Sequence, residues 1–338
     1  MWFKILIISC IIGFFATYFI VKKFIVFFKN IGLVGIDIAK KQKPKIAEMG
    51  GVPVAFGFIL SALFFIGLQI FLQQNFKFII LFPCLLTTLF IVFIYMLDDL
   101  TAILKKKEIK ADGIFVKKHG FRQRHKFLFP LIAAIPIMAA NYGNSNMLLP
   151  IIGNIDFGIL YPLVLVPIGI FGASNAVNML AGINGLEAGT GVVAIFSLSL
   201  FAYLNSNFIA ASFGFIFCSC LFAFLLFNWH PAKIFPGDSL TYMMGTIIAI
   251  IAIIGNIEKF AVFIFILWFI EFGLKFRSKF SAESFGKLNS KYYLTNPYKK
   301  IYSLTHIFMD GKTREEIIVL KIILIEIFIC VIGFVLFL

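Results

Sequence analysis

Charge is what this chain has least of. Of its 338 residues only 14% are charged, and acids are the scarcer sign, 16 Asp and Glu against 30 Lys and Arg. With 61% hydrophobic residues and a mean hydropathy of +1.00, this is not the composition of a soluble globular domain but that of a polytopic helical protein in a lipid bilayer. Linkers, repeats and low-complexity tracts are missing too, so residues 1–338 read as a single membrane domain. The five cysteines (10, 84, 218, 220 and 330) all lie in apolar runs, and Cys218-Ser219-Cys220 is too tightly spaced for the usual zinc pairs. His125 and His230 stand singly, without metal-ligand spacing. The apolar run 2–21 lacks a small-residue cleavage site and has Lys22-Lys23 behind it, so it is expected to stay as a first helix rather than leave as a signal peptide. A net charge of +14 would suggest nucleic acid in a soluble protein. Here the basic residues cluster in a few loops between apolar runs. No nucleic-acid partner is expected, and the loops point to topology and to anionic headgroups or phosphates.

About 20 apolar residues span a bilayer. Runs of that kind predict ten helices, near 2–22, 52–73, 77–98, 127–141, 157–176, 186–204, 208–227, 240–256, 260–275 and 317–338. Charge tests the count. Residues 22–45 hold seven Lys, 105–126 nine basic residues and 275–314 nine more, whereas the alternate connections hold Lys77, Lys259 or no basic residue. With ten helices every basic loop falls on one side, which should be cytoplasmic. The expected fold is therefore an all-α integral membrane protein with ten transmembrane helices and cytoplasmic loops at 23–51, 99–126, 177–186, 228–239 and 276–316. The polar motifs gather on that face, at helix ends.

Residues 175–189 (Asn-Ala-Val-Asn-Met-Leu-Ala-Gly-Ile-Asn-Gly-Leu-Glu-Ala-Gly) place three Asn, three Gly and one Glu between apolar runs. A polar turn would explain them; so would a binding site, since amides beside lipid need partners. Asp98-Asp99 ends the third predicted helix. Two adjacent acids repel each other and oppose the helix dipole, so a cation, a basic partner or a phosphate-handling role would supply the missing favourable interaction, although a simple helix stop is the alternative. Asp238, after Gly237 and just before a helix, is either an N-cap or a ligand for Mg²⁺, with Asn178 as the natural second oxygen. Residues 122–126 (Arg-Gln-Arg-His-Lys) suit either positive-inside anchoring or a phosphate. Gly50-Gly51 permits a tight helix entry, and Glu48 beside it is expected to be solvated. Residues 282–287 (Ala-Glu-Ser-Phe-Gly-Lys) lie in a loop long enough to fold over a substrate. Glu326, the one carboxylate inside the last helix, reads as snorkelling or as a helix–helix hydrogen bond. A transporter would place its polar groups near the midplane in broken helices, and these lie at helix ends.

Leu97-Asp98-Asp99-Leu100, Arg124-His125-Lys126 with Pro130 following, the 175–189 motif, and Asn228-Trp229 leading to Phe235-Pro236-Gly237-Asp238 resemble one family in order and spacing. It is the polyprenyl-phosphate N-acetylhexosamine-1-phosphate transferases, and within it the eukaryotic and archaeal dolichyl-phosphate N-acetylglucosamine-1-phosphotransferases. The resemblance covers most of residues 30–245. Bacterial relatives typically carry Asp where this chain has Ala181 and Asn184. The resemblance implies attack of a dolichyl (polyprenyl) phosphate oxygen on the β-phosphorus of UDP-N-acetylglucosamine, release of UMP, and a lipid-linked sugar that feeds N-glycosylation. It also implies Mg²⁺, with Mn²⁺ as the alternative ion, and inhibition by tunicamycin. Carried over residue by residue, Asp98 and Asp99 match the essential acidic pair, Lys126 the catalytic lysine, and Asn178 and Asp238 the metal ligands. Glu48 and Asn184 match contacts to uracil or its ribose, and Phe235 an aromatic stacked on uracil; Asn175 and Glu187 are further substrate candidates within the motif. Gly120 stands where eukaryotic members carry Asn, and their Arg-His-Arg cluster is absent. Arg277, Ser284 and Lys287 are offered as substitutes, which leaves another UDP-N-acetylhexosamine open as the donor. An archaeal cell membrane is favoured over an endoplasmic reticulum membrane, and a homodimer is compatible with the sequence.

Overall fold

A computed structural model describes residues 1–104, 120–149 and 153–338. Eight of its helical stretches are long and apolar enough to cross a membrane. They are α1 (Trp2–Asn30), α2 (Gly51–Gln73), α3 (Leu81–Leu104, entered through a 3-10 turn at Phe76–Ile80), α6 (Val166–Met179, entered through a π turn at Tyr161–Leu165), α7 (Leu186–Leu204), α8 (Phe208–Asn228), α9 (Gly237–Gly255) and α13 (Glu315–Phe337). The other two expected helices are each in two pieces. α4 (Gln123–Ala133) gives way to α5 (Ile135–Ala139) just before Pro136, which has no N–H for the helix ladder. α10 (Glu258–Ile264) meets α11 (Ile266–Phe276) at Phe265, whose N–H is shared between the carbonyls of Ala261 and Val262.

Several expected boundaries move. α1 runs on through Lys22-Lys23 to Asn30, and α3 carries Asp98-Asp99 inside its last turns instead of ending there. Asp238 lies in the first turn of α9. The loops also hold short antiparallel hairpins that an all-α expectation omits: β1 (Val34–Ile36) with β2 (Lys45–Ala47), β3 (Asn146–Leu149) with β4 (Gly153–Asp156), and β5 (Lys287–Leu288) with β6 (Leu294–Thr295). One short helix, α12 (Leu304–Ile307), precedes α13.

α9 is the central helix, touching α2, α3, α6, α7, α8 and α10, with 89% of its most apolar stretch buried. Glycine permits the closeness. A Cβ at Gly51 would lie 2.4 Å from Leu240 N, and one at Gly245 would lie 2.4 Å from Ala173 O, so α2 and α6 lie against α9 backbone to backbone. The outer surface carries large apolar side chains such as Phe71, Phe93, Phe269 and Val335, as a lipid solvent requires. Glu326 is fully buried and does not snorkel; its Oε1 accepts from Cys330 Sγ at 3.6 Å. The buried helix α9 thus carries its N-terminus, and Asp238 with it, into the middle of one end of the bundle.

Candidate active site

Three remote segments meet at that end. Lys126, in the first turn of α4, places Nζ 2.9 Å from Asp98 Oδ2 and ion-pairs with Asp238 Oδ2. Asp98 is buried, whereas the side chain of Asp238 keeps 27% of its exposure. Asp98 Oδ1 accepts from Phe121 N–H at 2.5 Å, and a Cβ on Gly120 would fall 2.3 Å from that oxygen, so glycine here makes room for the carboxylate. Below the lysine, Tyr95 OH donates to Lys126 O at 2.6 Å while its ring stacks on Tyr242 at 3.5 Å.

Asp99 has a different task. Its Oδ1 accepts from Asp238 N–H at 3.0 Å, and its Oδ2 accepts from Ser239 N–H at 3.1 Å and Ser239 Oγ at 2.9 Å. It caps α9 from another helix, with its negative charge at the positive end of the dipole. The N-cap alternative for Asp238 therefore gives way, since Asp99 does the capping and the Asp238 carboxylate is left to Lys126. Gly237 makes the approach possible: its φ is +67°, and a Cβ would lie 2.5 Å from Asp99 Oδ2. Asn178 joins through Thr241, whose Oγ1 donates to Asn178 Oδ1 at 2.7 Å. Among the described residues no three His, Cys, Asp or Glu could together hold a metal. What the site offers is two hard oxygen donors, Asp238 and Asn178, with an ammonium already held between Asp98 and Asp238 where positive charge is favoured. That suits Mg²⁺, which commonly takes one or two protein oxygens and completes its shell with water and substrate phosphate.

A second cluster lies beside the first. Phe235 N–H donates to Ala47 O (2.8 Å), Gly50 N–H to Phe235 O (3.0 Å) and Gly51 N–H to Pro236 O (3.1 Å). This zipper holds Glu48 next to Phe235. Glu48 is buried, not solvated as expected, because the β1–β2 hairpin folds Gly35 against its carboxylate. Asn184 donates through Nδ2 to Asp37 Oδ2 at 2.9 Å. Glu187 Oε1 accepts from Gly182 N–H at 2.8 Å and shapes the turn within the 175–189 motif. Asn175 is committed to packing: Nδ2 donates to Phe171 O (2.8 Å) and Phe127 O (3.1 Å), and Oδ1 accepts from Tyr242 OH (3.3 Å). The structure thus places it as a brace between α4, α6 and α9, on the wall of an apolar cavity.

The three substitutes from the long loop separate. Ser284 is buried, with Oγ donating to Glu271 Oε1 at 3.4 Å. Glu271 also accepts from Leu304 N–H (2.7 Å) and Ser303 Oγ (3.1 Å), and Lys275 lies 3.8 Å away. Burial, with Lys275 nearby, holds His306 down at about 4, so it is neutral at physiological pH. Arg277 and Lys287 are exposed. The loop still reaches the site, since the Phe285 ring packs on Gly182. Thr241, Tyr95, Tyr242, Asp37 and Glu315 were not singled out from sequence. Thr241 and Tyr242 (one turn after Asp238) and Tyr95 (one turn before Asp98) carry a spacing signal; Asp37 and Glu315 carry none.

An apolar cavity of about 580 Å³ runs along α6 from Met179 and on to Tyr161 in the π turn before it. Phe127 and Met179 line one end, next in sequence to Lys126 and Asn178. Its wall includes Gly169 and Gly172, where a Cβ would meet nothing within 4 Å. At the far end Tyr161 OH donates to Glu258 Oε1 at 2.6 Å.

Comparison with known proteins matches residues 81–256 to the model of glycosyl transferase family 4. The chain is 33% identical to a Sulfolobus acidocaldarius protein, over 97% of this chain and 95% of the relative, which is named, provisionally, as a UDP-N-acetylglucosamine–dolichyl-phosphate N-acetylglucosaminephosphotransferase. It is 27% identical to the Saccharomyces cerevisiae enzyme of that name, over 78% of this chain and 64% of the relative. It is also similar to a Halalkalibacterium halodurans phospho-N-acetylmuramoyl-pentapeptide-transferase, 30% identical over 75% of this chain and 76% of the relative.

Proposed function

The chain belongs to glycosyl transferase family 4, and from that membership we propose that it transfers N-acetylglucosamine-1-phosphate from UDP-N-acetylglucosamine to dolichyl (polyprenyl) phosphate, releasing UMP. The observation that carries the reading is the Asp98–Lys126–Asp238 cluster together with an apolar cavity whose lining takes up Phe127 and Met179, the residues next to Lys126 and Asn178. A charged cluster suited to phosphate and an apolar cavity suited to a lipid chain are thus built from adjacent residues of α4 and α6.

The acceptor phosphate has a second pKa of about 6 and is mostly ionised near neutral pH, so it needs little help from a base. Its oxygen attacks the β-phosphorus; the bond to the bridging oxygen breaks, and that oxygen leaves with UMP. Lys126 turns from its carboxylates toward the phosphates, and Asp98 fixes where the ammonium stands. Asp99 acts through α9 by holding Asp238 in register. Asp238 and Asn178 would hold Mg²⁺, or Mn²⁺ in its place. The ion, when bound, supplies positive charge to the diphosphate. Glu48, Asn184 and Phe235 form the nucleoside end, and the lipid lies along α6.

Counting α4–α5 and α10–α11 as two broken spans restores ten crossings and puts the basic loops on the cytoplasmic face, in a cell membrane of archaeal type. Which sugar is carried is the open choice, because Ser284 is buried and Arg277 and Lys287 are exposed. A second UDP-N-acetylhexosamine is therefore the alternative donor. The test is exchange of labelled UMP into a panel of UDP-sugars by the purified protein with dolichyl phosphate and Mg²⁺. Exchange with UDP-N-acetylglucosamine, lost on chelation, is expected; none with any UDP-N-acetylhexosamine ends the transferase reading.

A further inference from the structure

Asn184 sits between two acids from distant parts of the chain. Its Nδ2 donates to Asp37 Oδ2 at 2.9 Å, and its backbone N–H donates to Glu315 Oε1 at 3.1 Å. Asp37 follows β1, and its Oδ1 accepts from Ala39 N–H at 3.0 Å. Lys40 links the two acids, 3.9 Å from Asp37 Oδ2 and ion-paired with Glu315 Oε2. Asp37, Asn184 and Glu315 are all buried. An ionised carboxylate only accepts hydrogen bonds, so the side of the amide turned to Asp37 must be its NH₂. The amide oxygen then points the other way, and among the described residues no group donates to it.

We infer that Asp37 is a positioning and specificity-determining residue. By holding Asn184 Nδ2 it presents Asn184 Oδ1 as a fixed acceptor for the N3–H of a uracil base and so selects uridine over cytidine nucleotides. The assignment rests on Glu48, Asn184 and Phe235 forming the nucleoside end of the donor site. Uracil carries a hydrogen at N3, where cytosine has a lone pair. A freely turning amide would suit either base by rotating half a turn. A clamped one cannot, and cytosine would bring two acceptors face to face in a buried place. Lys40 makes the clamp tolerable next to an anionic donor, because its ammonium lies beside both buried carboxylates.

The experiment measures UMP and CMP as competitors of UDP-N-acetylglucosamine in the exchange reaction of the full-length protein. The wild type should favour UMP by about a hundredfold or more. Asp37→Asn keeps the size and can still accept from Ala39 N–H, but it offers Asn184 either an oxygen or an NH₂. The UMP-to-CMP preference should then fall about tenfold, with a raised KM for the donor and a kcat within about threefold of wild type. Asp37→Ser should shift the preference the same way and serves if the first variant does not fold. An unchanged preference in the folded variants, whatever their activity, overturns the inference, because general damage to the fold would lower turnover without altering base choice. A wild type that exchanges UMP but does not distinguish it from CMP overturns the inference alone. A wild type that exchanges with no UDP-sugar overturns the transferase reading and the inference with it.

Discussion

Two of the acid–lysine arrangements among the described residues are built in opposite ways. Glu271 and Lys275 are four residues apart on α11, and the carboxylate is fully buried and accepts from Leu304 N–H, Ser303 Oγ and Ser284 Oγ, while Lys275 Nζ donates to Ala282 O at 2.8 Å. Every one of those partners belongs to the chain, so this pair fastens the long loop to its helix. Asp98, Lys126 and Asp238 come from three separate helices, and the side chains of Lys126 and Asp238 keep 16% and 27% of their exposure. One ammonium faces two carboxylates, so one negative charge is left over, and the group is not enclosed. Buried ionic groups with all partners internal specify structure; groups held in place yet open to one side remain available to a ligand. The neighbouring acids Asp98 and Asp99 repeat the lesson at one-residue spacing, one facing the lysine and the other closing the end of α9.

The sharpest break in that comparison is Asp238→Asn. It keeps the shape and the α9 cap, which Asp99 provides, while removing the charge that faces Lys126 and the proposed ion. UMP exchange should fall about a thousandfold or more, with the thermal midpoint within a few degrees of wild type. Full activity in this variant would take Asp238 out of the reaction.

The sequence made the spans legible because a bilayer imposes composition directly, and it made Asp98, Asp99 and Asp238 stand out because acids at a membrane edge need a partner. It could not assign the partners. That Asp99 caps α9, leaving Asp238 to Lys126, depends on how closely α3 approaches α9 and on the left-handed backbone at Gly237. Glu48 looked solvated because its burial is produced by a three-residue hairpin. Asp37 and Glu315 carry no signal in the sequence, since what makes them a clamp is a contact across 147 or 131 residues of sequence. Ser284 shows the same limit in reverse: it was offered in place of the absent Arg-His-Arg cluster, and packing turns it inward onto Glu271.

A smaller effect is expected in the apolar cavity. Gly169→Leu adds a side chain where a Cβ meets only open space, so folding should be little affected while the groove along α6 narrows. KM for the polyprenyl phosphate should rise about tenfold with KM for the UDP-sugar unchanged, measured by varying each substrate in turn; an equal rise in both would detach the lipid from this groove.

The smallest effect on turnover, and the one that tests the other half of the comparison, belongs to Glu271→Gln. The amide keeps the volume but replaces charge-assisted hydrogen bonds from Leu304 N–H and Ser303 Oγ with neutral ones and leaves Lys275 without its counter-charge. Hydrogen bonds to charged groups contribute about 1.5–3 kcal/mol, so the thermal midpoint should drop by several degrees and the loop carrying Phe285 should become more open to proteolysis. Activity below that midpoint should stay within about threefold of wild type, because none of these groups faces the Asp98–Lys126–Asp238 cluster. If activity instead falls as far as in Asp238→Asn while the midpoint holds, the enclosed pair is part of the chemistry, and the separation between a fastened charge pair and an available one fails for this fold.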